Sequence, residues 1–403
     1  MNIYLFENRD EALNLEPISL TRPVFDLRCG AFTFLERIQK EIKYQSLSFF
    51  VRDEMEAITQ DKFPSISVNP KNVNHGIWLN ATVLWDKNLF EKVATKENTL
   101  YFSSNQLVAA NLDEDNGQLW IDQGGSVKTV PSFNLSSVQM SVGKVQFLWD
   151  CINKNSEMIL KDSGFFEMGR NNGFLASGVT LLNSGSIVIG SGSKIMPSTV
   201  LDAEDGPIII GKNVTVLPNS FLQGPLVIGD DCLIKAGAKI YKGTTIGPTC
   251  NVGGEVEESI FQGFSNKQHD GFLGHAYIGE WVNMGADTNN SDLKNNYTHV
   301  KVTVNCEVVD TKSLFVGLFM GDHSKSGINT MFNTGTVIGP CTNVVGYGFP
   351  PKTIPPFSWV INGKIQTHLF EKFVETATVV KERRGQAFTA VEKTLYKWIS
   401  DYR

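Results

Sequence analysis

Aliphatic residues recur at every sixth position through most of the second half of this chain. The clearest run comprises Ile210, Val216, Leu222, Ile228, Ile234, Ile240, Ile246 and Val252. A helix repeats near 3.6 residues and a single strand near 2, so neither element alone explains this spacing. A six-residue period with interspersed glycines is typical of a parallel β-helix, whose stacked coils bury the aliphatic rows. We therefore predict such a solenoid over residues 169–363.

The six-residue period also shows where the solenoid is interrupted. It starts at Ile189, Ile195 and Leu201, and it slips by three positions at residues 203–205. After Val252 it resumes at Ile260, passes over the polar Asn266 and continues through Phe272, Ile278 and Met284. The polar stretch 289–298 predicts a protruding loop. The period then returns through Val302, Val308, Leu314, Met320, Ser326, Phe332, Ile338 and Val344.

The two ends of the chain lack this period. Strand-like runs at 3–6, 47–51 and 76–79 and a helix-like stretch at 32–42 predict an α/β domain over residues 1–168, with a linking helix at 147–165. Proline pairs at 350–351 and 355–356 end the strands. Residues 364–403 form the third region, in which 366–402 predict a C-terminal helix.

Composition excludes several classes of protein. The 403 residues carry a net charge of -6, from 36 basic and 42 acidic residues, which argues against a nucleic-acid-binding protein. No apolar stretch is long enough for a membrane helix, and the N-terminus lacks the basic start of a signal peptide. Six scattered cysteines indicate reduced thiols rather than disulfides or a metal site. We therefore expect a cytoplasmic protein without membrane partners.

Three segments of the solenoid resemble a known enzyme family. Residues 266–274 (Asn-Lys-Gln-His-Asp-Gly-Phe-Leu-Gly), 278–286 (Ile-Gly-Glu-Trp-Val-Asn-Met-Gly-Ala) and 252–257 (Val-Gly-Gly-Glu-Val-Glu) carry the resemblance. They resemble the bifunctional N-acetylglucosamine-1-phosphate uridyltransferase/glucosamine-1-phosphate N-acetyltransferase family, the GlmU type. The resemblance implies a left-handed parallel β-helix that forms a homotrimer and holds acetyl-CoA between neighbouring solenoids.

Acetyl transfer to an amine needs a base that takes the amine proton, and a histidine is suited to that task. By the resemblance, His269 is this base; the alternative is an exposed loop histidine without a role. Asn283 matches an asparagine of the family that binds the amino sugar; the alternative is a corner residue that satisfies backbone groups.

The chain departs from the family at several substrate positions. Phe272 stands where the family has tyrosine, and Ser259 stands where it has lysine. Lys242 lies near the position of a family arginine and is a candidate contact for the sugar phosphate. In the loop, Asn289 and Asp292 are candidate contacts for the acceptor. These departures suggest an acceptor other than glucosamine-1-phosphate.

A second polar patch, residues 321–327, lies near the end of the solenoid where a cofactor groove is expected. It predicts that His323, Ser324 and Lys325 contact coenzyme A. From sequence, His275 is interpreted as structural.

The first domain resembles a shortened sugar nucleotidyltransferase. The family's glycine loop is missing after the first strand, but residues 17–23 and 27–36 resemble the segments that follow it. Arg22 and Arg28 are candidate phosphate contacts; the alternative for each is a surface salt bridge. No aspartate occurs at Leu79-Asn80-Ala81, where the family binds its metal, and an active domain would need Mg²⁺.

Three functional hypotheses follow. The first is an acetyl-CoA-dependent N-acetyltransferase that acts on an amino sugar phosphate or a nucleotide-linked amino sugar, coupled to a nucleotidyltransferase-like domain. The second is a sugar-1-phosphate nucleotidyltransferase whose β-helix only trimerises and regulates. The third is a scaffold in which both sites have decayed.

Overall fold

A computed structural model describes residues 1–131 and 134–401. The first domain has a sheet of seven described strands, in the spatial order Ser67–Val68, Ser46–Phe50, Asn2–Phe6, Gly76–Asn80, Gln106–Leu112, Thr99–Ser103 and Ser136–Gln139. The first four run parallel, and Gln106–Leu112 is antiparallel to both neighbours. The helices of this domain are Arg9–Leu13, Phe34–Glu41, Glu56–Lys62, Lys87–Ala94, Glu114–Asp122 and Gly125–Lys128. The predicted α/β domain is confirmed.

The helix Phe34–Glu41 shows how local sequence sets these elements. Thr33 begins it with a capping box, because its hydroxyl accepts from the Glu36 amide while the Glu36 carboxylate accepts from the Thr33 amide. Leu35 and Ile38 are buried on one face, as the sequence pattern predicts. A short antiparallel pair, Arg28–Cys29 with Phe32–Thr33, precedes the helix.

The solenoid has three faces of parallel strands. Face one contains Phe174–Leu175, Lys194–Ile195, Thr215–Val216, Leu233–Ile234, Asn251–Val252, Asn266–Lys267, Asn283–Met284, Lys325–Ser326, Asn343–Val345 and Ser358–Ile361, and ends with the antiparallel Lys364–Thr367. Face two contains Thr180–Leu182, Val200–Asp202, Phe221–Gln223, Lys239–Ile240, Glu255–Glu257 and Phe272–Gly274, and then the pair Asn289–Asn290 and Met331–Phe332. Face three contains Ile187–Ile189, Ile208–Ile210, Leu226–Ile228, Thr244–Ile246, Ile260–Gly263, Tyr277–Glu280, Leu318–Met320, Thr336–Ile338 and Thr353–Ile354. The predicted parallel β-helix is confirmed.

The inward row agrees with the predicted period up to Val252, shifts by one position at Phe261 and Leu273, and returns to the predicted positions at Ile278 and Met284. The buried core contains Phe261 and Leu273, where the sequence predicts Ile260 and Phe272. The shift arises because the inward residues Val252, Val256 and Phe261 are four and five positions apart instead of six. The residue in register with Val252 is therefore Lys267, and the prediction that Asn266 interrupts the inward row is wrong.

The predicted return of the period at Val302, Val308 and Leu314 is also wrong. These residues belong to an insertion, 291–317, that is longer than the predicted loop 289–298. It contains an antiparallel hairpin, Lys301–Val304 with Glu307–Asp310. Val302 packs against the first domain's core cluster, whereas Val308 is 69% exposed. The alternating pattern of the hairpin imitated the six-residue period.

The helix Leu148–Asp162 joins the first domain to face three of the solenoid. The side-chain oxygen Oδ1 of Asn155 accepts from the Gly30 amide at 2.6 Å. The side-chain nitrogen Nδ2 of Asn155 donates to the Gly243 carbonyl at 2.8 Å and to the Thr245 hydroxyl at 3.0 Å. Asp162 pairs with the buried Arg37 at 2.7 Å. These buried contacts hold the first domain against the solenoid.

The C-terminal region contains two described helices, Phe370–Glu382 and Ala390–Asp401, where the sequence predicts one. The first helix ends before Gly385, which has a φ of +68° and so takes the left-handed conformation that terminates helices. Both helices pack beside the corner between faces three and one. Tyr402 and Arg403, the end of the predicted tail, lie outside the described residues.

Candidate functional site

Three chemically active side chains stack at the corner between faces two and three. Glu257, His275 and Asp292 come from successive coils, and Glu257 is in register with the residue that precedes His275. One imidazole nitrogen of His275 and one carboxylate oxygen each of Glu257 and Asp292 lie within 4.8 Å of one another. Nδ1 of His275 lies 2.8 Å from Oδ2 of Asp292, and both residues are largely buried. The stacking of successive coils therefore brings together three side chains that are far apart in the sequence.

The backbone at this corner takes the left-handed conformation. Glu258 has a φ of +41° and His275 a φ of +47°. Residues other than glycine adopt such angles infrequently, but here they recur at the corners of other coils, as at Asn213, Asp231 and Thr249, so they belong to the geometry of the solenoid. One coil earlier, Gly243 occupies the corner with a φ of +68°, and a β-carbon there would collide with the Glu258 carboxylate. The absence of a side chain at Gly243 gives Glu258 its place.

The pair formed by His275 and Asp292 can act as a base. A carboxylate that accepts a hydrogen bond from Nδ1–H fixes the tautomer and leaves Nε2 free to take a proton. The Phe315 ring stacks on the imidazole, with centroids 5.1 Å apart. This contact and the hydrogen bond together fix the orientation of the His275 ring.

The pair opens into a cleft of about 520 Å³, which is large enough for a sugar. Its lining comprises Gln223, Tyr241, Lys242, Glu255, Glu257, Glu258, His275 and Phe315. Burial, and then the Asp292 charge, raise the pKa of the Glu257 carboxyl. Burial also raises the pKa of Glu258. Carboxylates outnumber cations here, so the cleft favours a ligand that carries a cationic group.

Two of the predicted substrate contacts, Lys242 and Asp292, lie at or behind this cleft. Lys242 lines the cleft and is half-exposed, with Asp205 4.0 Å away. Asp292 is the partner of His275. Both stay predictions as substrate-binding residues; Lys242 lines the cleft, and Asp292 lies behind His275.

His269, Asn283 and Asn289 lie elsewhere, around the corner between faces one and two. The His269 imidazole is exposed and has no hydrogen-bonding partner among the described residues. Asn283 is exposed on face one, in register with Asn266. The Asn289 side chain accepts from the Phe272 amide at 2.8 Å. Their roles in catalysis and substrate binding stay predictions.

Beneath this corner lies an inward-pointing lysine. The ammonium group of Lys267 donates to the carbonyls of Gly253, His269 and Gly271 at 3.0, 3.2 and 2.6 Å. Burial lowers the pKa of Lys267 to about 8. The lysine replaces an aliphatic residue of the core and fixes the backbone that carries His269.

The predicted phosphate contacts in the first domain are both held by protein groups. Arg22 is buried, and its guanidinium lies 3.1 Å from Glu280 and 3.6 Å from Asp26, with Asp322 also in hydrogen-bond contact. Burial opposes the charged form, but these carboxylates hold the pKa of Arg22 well above its usual value. Arg28 donates to the Ala31 carbonyl at 3.1 Å. Arg22 is therefore an ion-pair residue between the first domain and the solenoid.

The predicted cofactor contacts lie beneath the C-terminal helices. His323 is buried and stacks on Trp281, with ring centroids 5.9 Å apart, and neither ring nitrogen has a partner among the described residues. Burial holds the pKa of His323 well below its usual value, so the ring is neutral. The Ser324 hydroxyl donates to the Gly339 carbonyl, and the Lys325 ammonium donates to the His323 carbonyl. His323 and Ser324 are buried in the single chain, and no step is assigned to the three residues.

The described residues around Asn80 do not fit a Mg²⁺ ion. The Asn80 amide donates to Glu11 at 2.8 Å and to the Leu107 carbonyl at 3.0 Å. Glu11 is the nearby carboxylate, and Lys144 neutralises it. At the end of the first strand, Glu7 is fully buried and pairs with Arg52 at 2.8 Å, where the family has its glycine loop. Magnesium needs carboxylate oxygens that are free to bind it.

Sequence reasoning missed His275, Glu257 and Glu258. The signal that locates them is the coil length, because Glu257, His275 and Asp292 are 18 and 17 positions apart. That spacing places them above one another only once the length of a coil is known.

Two family models match the chain. One, described as a sugar nucleotidyl transferase, matches residues 3–171, and the other, described as bacterial transferase hexapeptide (six repeats), matches residues 207–242. The first domain is therefore similar to sugar nucleotidyl transferases, and part of the solenoid is similar to hexapeptide-repeat transferases. This confirms the predicted fold class and the resemblance to the bifunctional type.

Two curated relatives share parts of the sequence. The bifunctional sugar-1-phosphate nucleotidylyltransferase/acetyltransferase of Sulfurisphaera tokodaii is 32% identical over 103 residues, which are 23% of this chain and 26% of the relative. Bifunctional protein GlmU of a Synechococcus strain is 26% identical over 136 residues, 33% of this chain and 26% of the relative. The chain thus spans about a quarter of the length of each.

Solved structures resemble the chain weakly. A UDP-N-acetylglucosamine acyltransferase aligns with 58% of this chain and 95% of its own, at 11% identity and a TM-score of 0.31. AntD, an N-acyltransferase from Bacillus cereus solved with dTDP and 3-hydroxybutyryl-CoA, aligns with 56% and 96%, at 11% identity and a TM-score of 0.17. None of the described helices is long and apolar enough to cross a membrane.

Proposed function

We propose that this protein transfers an acetyl group from acetyl-CoA to the amine of an amino sugar phosphate or a nucleotide-linked amino sugar. The observation that carries the proposal is the hydrogen bond between His275 and Asp292 in an open cleft. The relatives that match the chain are named as nucleotidylyltransferase and acetyltransferase, which supports the same class of reaction.

The cleft residues would act on the amine in sequence. Glu257 and Glu258 attract the ammonium form of the acceptor, and a bound cation offsets the cost of burying their charges. Once the ammonium has lost one proton to solvent, the neutral nitrogen attacks the acetyl carbonyl. Nε2 of His275 takes one of the two remaining N–H protons as the C–N bond forms, the other stays on the amide nitrogen, and Asp292 stabilises the imidazolium. As the C–S bond breaks, His275 returns that proton to the departing sulfur. Acetyl-CoA supplies the acetyl group.

The proposal includes a homotrimer in the cytoplasm. Exposed apolar side chains cluster towards the end of the solenoid, among them Ile328, Met331, Tyr347 and Phe349. Apolar surface of this kind is typical of contacts between protein chains. Light scattering of the purified protein measures the mass directly, and a monomer at working concentration would contradict this part.

The test of acetyl transfer is acetyl-CoA consumption with a panel of amino sugar phosphates and nucleotide-linked amino sugars. We expect His275→Ala to lower kcat by about 10²- to 10⁴-fold, the usual contribution of a general base. His299→Ala is the matched control, because His299 also faces an aspartate, Asp310 at 3.4 Å, but lies on the surface. Unchanged turnover in His275→Ala would contradict the assignment, and a loss confined to His269→Ala would move the base to His269.

A second function, sugar-1-phosphate nucleotidyl transfer, rests on the family match to residues 3–171. Pyrophosphate release from each of the four nucleoside triphosphates with a sugar phosphate tests it. Release with none of them would leave acetyl transfer as the single activity. Loss of release in Arg22→Ala, with the fold intact, would give Arg22 a role besides its ion pairs.

A further inference from the structure

A cavity separate from the His275 cleft lies where the first domain, the hairpin and the last coils of the solenoid meet. Its volume is about 300 Å³, which is enough for a molecule of several carbon atoms. Pro17 and Leu20 come from the first domain, Val304 from the hairpin, and Val337 and Ile354 from face three. We call this space the hairpin cavity. It shares no lining residue with the His275 cleft.

One carboxylate in the hairpin cavity lacks a partner. Oε1 of Glu16 is enclosed by protein and accepts no hydrogen bond from the described residues. The neighbouring carboxylates are paired, Glu7 with Arg52 at 2.8 Å and Glu54 with Arg9 at 3.2 Å. When Glu16 is ionised, the described residues do not balance its charge with an ion pair.

Leaving a buried acceptor unpaired is costly, and a charged one more so. Burial raises the pKa of Glu16 to about 7, although Arg52 opposes the rise. A cationic group bound in the cavity beside this carboxyl group would offset the cost of its charge. The apolar walls would at the same time enclose the hydrocarbon part of the ligand.

The hairpin supplies a wall that the solenoid does not need for its own packing. It interrupts the coil between Asn290 and Leu318, and Thr303, Val304 and Cys306 line the cavity near its turn. Long insertions into a compact fold are usually functional. Here the insertion encloses the Glu16 carboxylate.

We propose that the hairpin cavity binds a small apolar molecule that carries a protonated amine, with the ammonium group on Glu16 and the hydrocarbon part against Leu20, Val304 and Val337. The charge complementarity with Glu16 selects an amine over an acid or an alcohol of the same size. The proposal goes beyond acetyl transfer and does not depend on it.

The test is calorimetric titration of the whole protein with n-hexylamine, n-hexanol and hexanoate. We expect the amine to bind at least about tenfold more tightly than the alcohol, which is the value of one charge-assisted hydrogen bond, and hexanoate to bind most weakly. Affinity for the amine should rise from pH 6 to pH 8. The Glu16 carboxyl ionises over that range, while an alkylamine stays protonated.

Two variants and one control complete the test. Glu16→Gln keeps the shape and should reduce amine affinity about tenfold, and Val337→Trp should abolish binding by filling the cavity. Glu307→Gln is the matched control, since Glu307 lies on the exposed side of the same hairpin. Equal affinities for hexylamine and hexanol, or an unchanged affinity in Glu16→Gln, would overturn the proposal. Loss of acetyl transfer in His275→Ala has no bearing on it, so the two proposals fail separately.

Discussion

The Asp292 carboxylate lies 2.8 Å from Nδ1 of His275, although one whole coil of the solenoid separates the two residues in sequence. We expect Asp292→Asn to lower kcat for acetyl transfer by about 10²-fold or more, because an amide favours the wrong imidazole tautomer. Steady-state kinetics measure the effect. Asp310→Asn, which alters the exposed pair with His299, should leave kcat unchanged. Equal effects of both variants would argue against a special role for Asp292.

Gly243→Ala should distort the cleft at Glu258, which lies one coil further along the solenoid. The new methyl group would collide with the Glu258 carboxylate, and a φ of +68° strains any residue with a β-carbon. Gly237→Ala separates the two effects, because Gly237 has a φ of +72° with open space around it. We expect Gly237→Ala to cost about 1–2 kcal/mol in urea unfolding without changing kcat/KM. Gly243→Ala should cost a similar amount, because the flexible Glu258 side chain can move aside, but the displaced carboxylate should lower kcat/KM. If the two variants have the same kcat/KM, Glu258 has no part in the cleft.

Arg22→Met should destabilise the protein by about 3–5 kcal/mol, because it leaves Glu280 and Asp322 without the cation that pairs with them, whereas Asp26 keeps Lys62 at 2.6 Å. Denaturant unfolding at pH 7 measures this loss. Arg9→Met removes a more exposed pair with Glu54 and should cost at most about 1 kcal/mol.

Low pH should weaken the same ion pairs between Arg22 and its carboxylates. Although burial opposes it, the Arg22 charge lowers the pKa of Glu280 to about 2. The stability contributed by Glu280 is therefore complete above its unfolded pKa of about 4.3, and it is lost as pH falls towards 2. A wild-type protein with the same acid sensitivity as Arg22→Met would contradict this explanation.

Lys267 should make stability rise with pH in the alkaline range. Burial lowers its pKa to about 8, whereas an unfolded lysine titrates near 10.4. Between these values the unfolded chain binds more protons than the folded one, so raising the pH favours the folded state. We expect the difference in unfolding free energy between wild type and Lys267→Met to change from pH 8 to pH 10 in favour of the wild type. A difference that stays constant with pH would show that Lys267 does not titrate in this range.

The sequence predicted the solenoid well because each coil must place an apolar side chain inward, and that requirement is periodic. It failed after Val252 because Ile260 and Phe261 are both fully buried, one against the first domain and the other inside the solenoid. Hydrophobicity alone does not distinguish these two destinations. The shorter turns around Val256 shift the row, and no residue type marks them.

The candidate site was predicted only in part for a related reason. Lys242 and Asp292 are predicted by position, whereas His275 and Glu257 acquire meaning only when coils are stacked in register. The ion pairs of Arg22 were also not predictable. An arginine in a segment that resembles a phosphate-binding one looks the same in sequence whether or not it pairs with carboxylates of another part of the chain.

The side chain of Asn155 bonds Gly30 on one side and Gly243 and Thr245 on the other. The change of sequence pattern near residue 169 therefore does not mark two independently packed domains. Either half produced alone would leave these polar groups unpaired and would uncover Ile209 and Val227. Gene fusion or recombination at that point would have to rebuild a shared surface. The two halves are consequently bound to change together in evolution, even where their chemistries are separate.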